Sequence, residues 1–82
     1  MVNVAFNPDF QKVFERIKDT ALKDKIVKHI IKIKENPDIG KPMMYGRKGT
    51  RELYIRPYRL SYEYLKDEDK IVLIEFYHKD EQ

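Results

Sequence analysis

Between residues 51 and 62 the chain reads Arg-Glu-Leu-Tyr-Ile-Arg-Pro-Tyr-Arg-Leu-Ser-Tyr, and three of these side chains are suited to meet an anion. Two short alternating runs, Leu53 and Ile55, then Leu60, Tyr62 and Tyr64, predict two strands joined across Pro57-Tyr58. Successive strand residues face opposite ways, so burying those apolar residues turns Tyr54, Arg56 and Arg59 outward together. Exposed ion pairs contribute only about 0 to 1 kcal/mol, so stability alone does not call for this arrangement. Arginine and tyrosine on one face suit single-stranded RNA, whose bases stack on aromatic rings while guanidinium groups hold phosphates. RNA also brings its own nucleophile, the 2′-hydroxyl. Cutting it requires a base for that proton, an acid for the leaving 5′ oxygen, and cations for the charge developing on phosphorus. His78 and Lys79, at the end of the last predicted strand, can move protons, while Arg56 and Arg59 can carry the charge.

The charge distribution supports an anionic partner. The 82 residues have a net charge of +3, but residues 1–40 hold eight Lys/Arg against six Asp/Glu, residues 41–60 six against one, and residues 61–82 three against seven. The middle segment is therefore the basic one, at +5. It adds Arg47 and Lys48, in a glycine-bounded turn, and Arg51 to the candidate substrate-binding set of Arg56 and Tyr54. Such a segment attracts phosphate in a salt-dependent way. The turn is not a P-loop, because Gly-x-x-x-x-Gly-Lys-Ser/Thr is absent. There is no cysteine, no Gly-x-Ser-x-Gly, no dinucleotide fingerprint and no metal-ligand spacing. Nucleophilic hydrolysis, redox and metal-assisted reactions thus lack their usual parts, and no cofactor is expected. His29 stands alone beside an apolar stripe and is given no role.

The positioning elements follow from periodicity. Val2, Val4 and Phe6 alternate as a first strand. Asn7-Pro8-Asp9 is a helix start, with Asn as cap, Pro at the first helical position and Asp in the first turn. Phe10, Val13, Phe14 and Ile17 form its apolar stripe. A second helix, capped by Asp19 or Thr20, buries Leu22, Ile26, Ile30 and Ile33 and ends at Asn36-Pro37. Residues 37–50 read as an irregular linker in which Met43 to Tyr45 form a short strand or a buried anchor. The hairpin, a polar turn over 66–70 and an apolar strand over 71–77 complete a single domain spanning 1–82. The expected fold class is α+β: a small, largely antiparallel sheet of three or four strands, elements in the order β-α-α-β-β-β, with the helical hairpin packed on one face. The opposite face is left partly bare, where Tyr54, Arg56 and Arg59 point. No secretory leader is evident at the N-terminus and no apolar run is long enough to cross a bilayer, so a cytoplasmic location without membrane contact is expected.

This order of elements, together with Leu53-Tyr-Ile-Arg56, Tyr58-Arg-Leu-Ser-Tyr62 and a last strand ending in His78-Lys79, resembles the RelE/ParE superfamily of toxins from toxin-antitoxin pairs. The resemblance spans nearly the whole chain, with Asn36-Pro37 closing the second helix as a supporting trait. Resemblance to the RelE branch implies a metal-independent endoribonuclease that cuts mRNA on the ribosome and is neutralised by a cognate RelB-like antitoxin. By that similarity Arg59 stabilises the transition-state phosphate, Arg56 matches a substrate-binding arginine, and Lys79 and His78 fall where basic residues end the last strand. Where ribonuclease members carry lysines on the strand before Arg59, this chain has Glu52 and Tyr54. The ParE branch shares the scaffold and acts on DNA gyrase. Tyr54, Arg56, Arg59 and the His78-Lys79 pair favour RNA over that target. A non-catalytic module that docks a partner peptide on the same face is the alternative from another class.

Overall fold

A computed structural model describes residues 2–42 and 49–78. The expected strand over Met43 to Tyr45 lies outside the described residues. The elements are β1 (Asn3–Phe6), α1 (Pro8–Arg16), α2 (Thr20–Glu35), β2 (Lys41–Pro42), β3 (Thr50–Ile55), β4 (Tyr58–Leu65), a 3-10 turn (Lys66–Glu68) and β5 (Lys70–His78). The strands form one five-stranded sheet in the order β1-β5-β4-β3-β2. β1 runs parallel to β5, and every other pairing is antiparallel. The α+β class and the order of elements agree with expectation. The sheet is wider by the two-residue strand β2, too short to show any periodicity.

Local chemistry starts both helices where the sequence places them. The Asn7 side chain accepts a hydrogen bond from the Asp9 N–H, with Pro8 at the first helical position. Asp19 accepts from the N–H groups of Ala21 and Leu22, which resolves the choice between Asp19 and Thr20 as cap. Each cap satisfies donors that the first helical turn leaves open. α1 lies over β5 and α2 over β3. Phe10 from α1 and Ile26 and Ile33 from α2 are fully buried against Ile55, Leu60, Tyr62, Ile71 and Leu73 from the sheet. The α1 ring stack continues outward through Phe14, over which the Lys23 ammonium lies 5.2 Å from the ring centroid.

β5 has no simple alternation in its sequence, and the structure shows why. Ser61 pairs with Glu75, but the next residue, Tyr62, pairs with Leu73, so Ile74 is an extra residue in a bulge. A bulge shifts the side-chain phase by one. Ile71 and Leu73 before it, and Phe76 after it, all face the helices as a result. Without it Glu75 and Tyr77 would turn into the core.

Tyr62 joins the sheet to the segment after α2. Its hydroxyl donates to the Pro37 carbonyl at 2.7 Å and accepts from the Gly40 N–H at 2.9 Å. Burial, and to a lesser degree the Asp38 carboxylate, raise the pKa of this phenol above its usual value, while the Gly40 N–H and Arg51 oppose the shift. The Tyr62→Phe variant leaves a buried donor and an acceptor without their partner, at an expected cost of about 1 to 3 kcal/mol. The pH dependence has a definite sign. Folding disfavours the phenolate, so Tyr62 contributes fully below the unfolded tyrosine value, about 10, and that contribution is lost as pH rises beyond it. Denaturant titrations from neutral pH upward should show the wild type losing stability more steeply above that value than Tyr62→Phe. Parallel curves would refute the assignment.

Candidate anion site on the open sheet face

The site lies on the side of the sheet away from the helices, and strand register builds it. Tyr54 on β3 is opposite Arg59 on β4, which in turn is opposite Tyr77 on β5. Directly paired residues present their side chains on the same face, so the three stand abreast. The Arg59 guanidinium carbon lies 5.9 Å from the centroid of the Tyr54 ring. Its Nη1 meets Glu52 Oε1 at 3.3 Å, and the Tyr77 hydroxyl donates to Glu52 Oε2, also at 3.3 Å. Arg59 Nε is buried and meets no acceptor among the described residues. Beside this cluster an open-sided groove of about 460 Å³ is lined by Ile39, Lys41, Glu52, Leu53, Tyr54 and Arg59.

The structure brings only part of the expected set together. Arg59 and Tyr54 share the open face. Arg56 is exposed in the two-residue turn Arg56-Pro57 between β3 and β4, not on a strand, so the turn falls one residue earlier than Pro57-Tyr58. It stands at the end of the hairpin, one residue from the Ile55–Tyr58 pair. Arg51 is on the opposite face: its Nη1 donates to the carbonyls of Gly40 at 2.7 Å and Asp38 at 3.2 Å, and its Nη2 lies 3.3 Å from the Asp38 carboxylate. It therefore fastens the segment after α2. Alternation already implies this, since Arg51 shares its parity with Leu53 and Ile55. His78 pairs with Tyr58, again on the helix side, where its ring meets Tyr58 edge-on at 5.5 Å and Tyr58 stacks on Phe76 at 4.8 Å. Arg47, Lys48 and Lys79 lie outside the described residues.

Two residues of the cluster were not among the candidates. Tyr77 has the parity that faces Arg59 only once the β5 bulge is placed. Glu52 stands two residues before Tyr54, and that spacing was enough to put it on the same face. Its carboxylate changes the electrostatics. Among the described residues the open face pairs three cations, Lys41, Arg59 and Lys70, with three carboxylates, Glu52, Glu63 and Glu75. Of the described cations of the middle segment, Lys41 and Arg59 stand on this face while Arg51 and Arg56 do not. Among the described residues no cluster of His, Asp or Glu could hold a metal ion, and no helix is long and apolar enough to cross a membrane.

Comparison with known proteins places this arrangement. The backbone superposes on the toxin-antitoxin complex RelBE from E. coli with a TM-score of 0.81 at 18% identity, covering 95% of this chain and 96% of that one. For the RelBE2 complex of Mycobacterium tuberculosis the TM-score is 0.82 at 19% identity, with 95% and 98% covered. A YoeB/ParE toxin from Agrobacterium tumefaciens gives 0.83 at 15% identity, with 94% and 98% covered. These likenesses establish a shared fold. None of the curated proteins compared matches the chain in sequence. The family model for the ParE toxin of the type II toxin-antitoxin system parDE matches residues 4–82. Nearly the whole domain, from β1 onward, is thereby accounted for, and the chain belongs to the ParE toxin family of type II toxin-antitoxin systems.

Proposed function

We propose that this toxin is a metal-independent endoribonuclease that cuts translated mRNA on the ribosome by directing the RNA 2′-hydroxyl at the adjacent phosphate. The observation that carries the reading is the Arg59 guanidinium, held on the open sheet face above Tyr54 and beside a groove. A guanidinium fork matches the geometry of a phosphate, and charge that develops in the transition state is stabilised best by a group already in place. Tyr54, 44% exposed, offers a face on which a base can stack. Arg56 at the hairpin end and Lys41 at the groove are placed to hold flanking phosphates, with Arg47 and Lys48 assigned the same task and Arg51 acting on the segment that carries Lys41. The proton transfers are assigned to Lys79, the next residue in sequence after β5, because His78, held against Tyr58 on the helix side, faces away from the phosphate on Arg59. A RelB-like antitoxin is the expected neutralising partner, and the cytoplasm, where ribosomes work, the expected location.

A second reading is favoured by the family model itself, which is that of ParE: inhibition of DNA gyrase by the same scaffold. The balance of charges on the open face suits a protein target as well as RNA. One experiment separates the two. Purified toxin is added to reconstituted translation, with mRNA ends mapped by primer extension, and in parallel to gyrase with relaxed plasmid. New mRNA ends that require ribosomes support the ribonuclease. Intact mRNA with blocked supercoiling refutes it in favour of gyrase, and neither effect leaves the binding-module alternative.

A further inference from the structure

The cluster around Arg59 is more than a set of neighbours, because its bonds are unevenly distributed. Glu52 holds the guanidinium through one nitrogen at 3.3 Å, a single long contact where an arginine and a carboxylate in strong pairing form two parallel bonds near 2.7–2.9 Å. Arg59 Nε meanwhile is buried without an acceptor among the described residues, which penalises the inward pose of the side chain. The carboxylate is well provided for without Arg59. Its other oxygen already accepts from Tyr77, its side chain is 25% exposed and so reaches water, and Lys41 stands directly opposite it across the β2–β3 pair on the same face.

We propose that Glu52 is a latch on the anion site: it occupies Arg59 as a built-in substitute for phosphate, and an incoming phosphate releases it. This rests on the reading of Arg59 as the phosphate-holding residue. Releasing Glu52 frees Nη1 and allows the guanidinium to turn out, so that Nε and the terminal nitrogens meet the ligand as a fork. Glu52 then retains Tyr77 and gains Lys41. The consequence is selectivity of engagement. Stray polyanions must compete with a carboxylate tethered within contact distance, whereas a phosphate presented in fixed geometry against Tyr54 and Arg59 displaces it. Tyr77, two strands away from Glu52, keeps the carboxylate within reach for relatching.

The latch is testable without ribosomes, by measuring binding of a fluorescein-labelled oligouridylate to the free toxin at low salt. Glu52→Gln keeps shape and a hydrogen-bond acceptor for Tyr77 while removing the charge. It is expected to tighten binding by about fivefold or more, the effect of removing one unit charge some 4 Å away in a water-like medium. Glu63→Gln lies on the same face four residues along β4 from Arg59 and makes the same change in net charge; it should move the affinity less than about twofold. In an Arg59→Ala background the gain from Glu52→Gln should vanish, which a double-mutant cycle reads directly. The proposal is overturned if Glu52→Gln binds no tighter than wild type, whether both bind weakly or not at all. It is equally overturned if Glu63→Gln gains as much, or if the gain survives without Arg59. Tightening through Arg59 in a protein that leaves ribosomal mRNA intact would keep the latch and remove the ribonuclease reading, so the two fail separately.

Discussion

Arg59→Ala is expected to lower ribosome-dependent mRNA cleavage by about a hundredfold or more, the usual loss when a group that stabilises developing charge is removed. Its melting temperature should stay within a few degrees of wild type. The two halves of this expectation have different physical origins. Arg59 contributes nothing to the core: it faces away from the helices, its side chain is 31% exposed, and its ion pair with Glu52 is long. A pair of that kind is worth about 0 to 1 kcal/mol, and the truncation also removes a buried Nε–H that meets no acceptor among the described residues. Glu52 retains Tyr77 as a donor. In the reaction, by contrast, Arg59 is the guanidinium held over Tyr54, and a lysine such as Lys41 on the same groove does not offer its fork. Arg59→Lys should fall between the two, keeping the charge but not the bidentate geometry. Primer extension on purified ribosomes, paired with circular dichroism melts, measures both quantities. Undiminished cleavage by a folded Arg59→Ala protein would remove Arg59 from the mechanism.

The parts of this fold that were legible in the sequence are those set by local chemistry. Asn7 and Asp19 cap their helices because the donors they satisfy lie two or three residues away. The β3–β4 hairpin was legible because alternation needs no long-range information, and the same alternation correctly put Tyr54 and Arg59 on one side. It also placed Arg51 with Leu53 and Ile55, although grouping arginines by net charge obscured that. What could not be read depends on pairing between distant segments. The bulge at Ile74 is a property of how β5 meets β4, and it decides that Tyr77 faces Arg59 while His78 faces Tyr58. The Glu52–Tyr77 bond joins residues 25 apart in sequence. Charge counting likewise located a basic segment but not the faces over which it divides. Arg51 went to one side of the sheet and Arg59 to the other, while Arg56 went into the turn.

Gly40→Ala is expected to be the most destabilising single-atom addition in the described part of the chain, at about 2 to 4 kcal/mol from overpacking together with lost hydrogen bonds. For a domain of this size that corresponds to a fall in melting temperature of roughly 10 to 25 °C. The cause is a close approach and not an unusual backbone angle. A Cβ at Gly40 would stand 2.7 Å from the Tyr62 hydroxyl oxygen, 2.8 Å from Tyr62 Cε1 and 2.9 Å from the Glu52 carbonyl oxygen. Tyr62 is fully buried in the core and the carbonyl belongs to β3, so neither can yield cheaply. Moving Gly40 instead breaks its N–H bond to Tyr62 and the bond from Arg51 to its carbonyl. The damage should reach the candidate site, because Ile39 and Lys41 on either side of Gly40 line the groove and Lys41 pairs with Glu52. Adding Tyr62→Phe removes the nearest of the three contacts. The double variant should therefore lose less stability than the sum of the single losses, as expected for residues in direct contact. Circular dichroism melts of the three variants decide the matter. A Gly40→Ala protein that melts within about 2 °C of wild type, a shift worth under 1 kcal/mol here, would mean that the segment after α2 can shift freely. In that case neither Tyr62 nor Arg51 would be holding the wall of the groove in place.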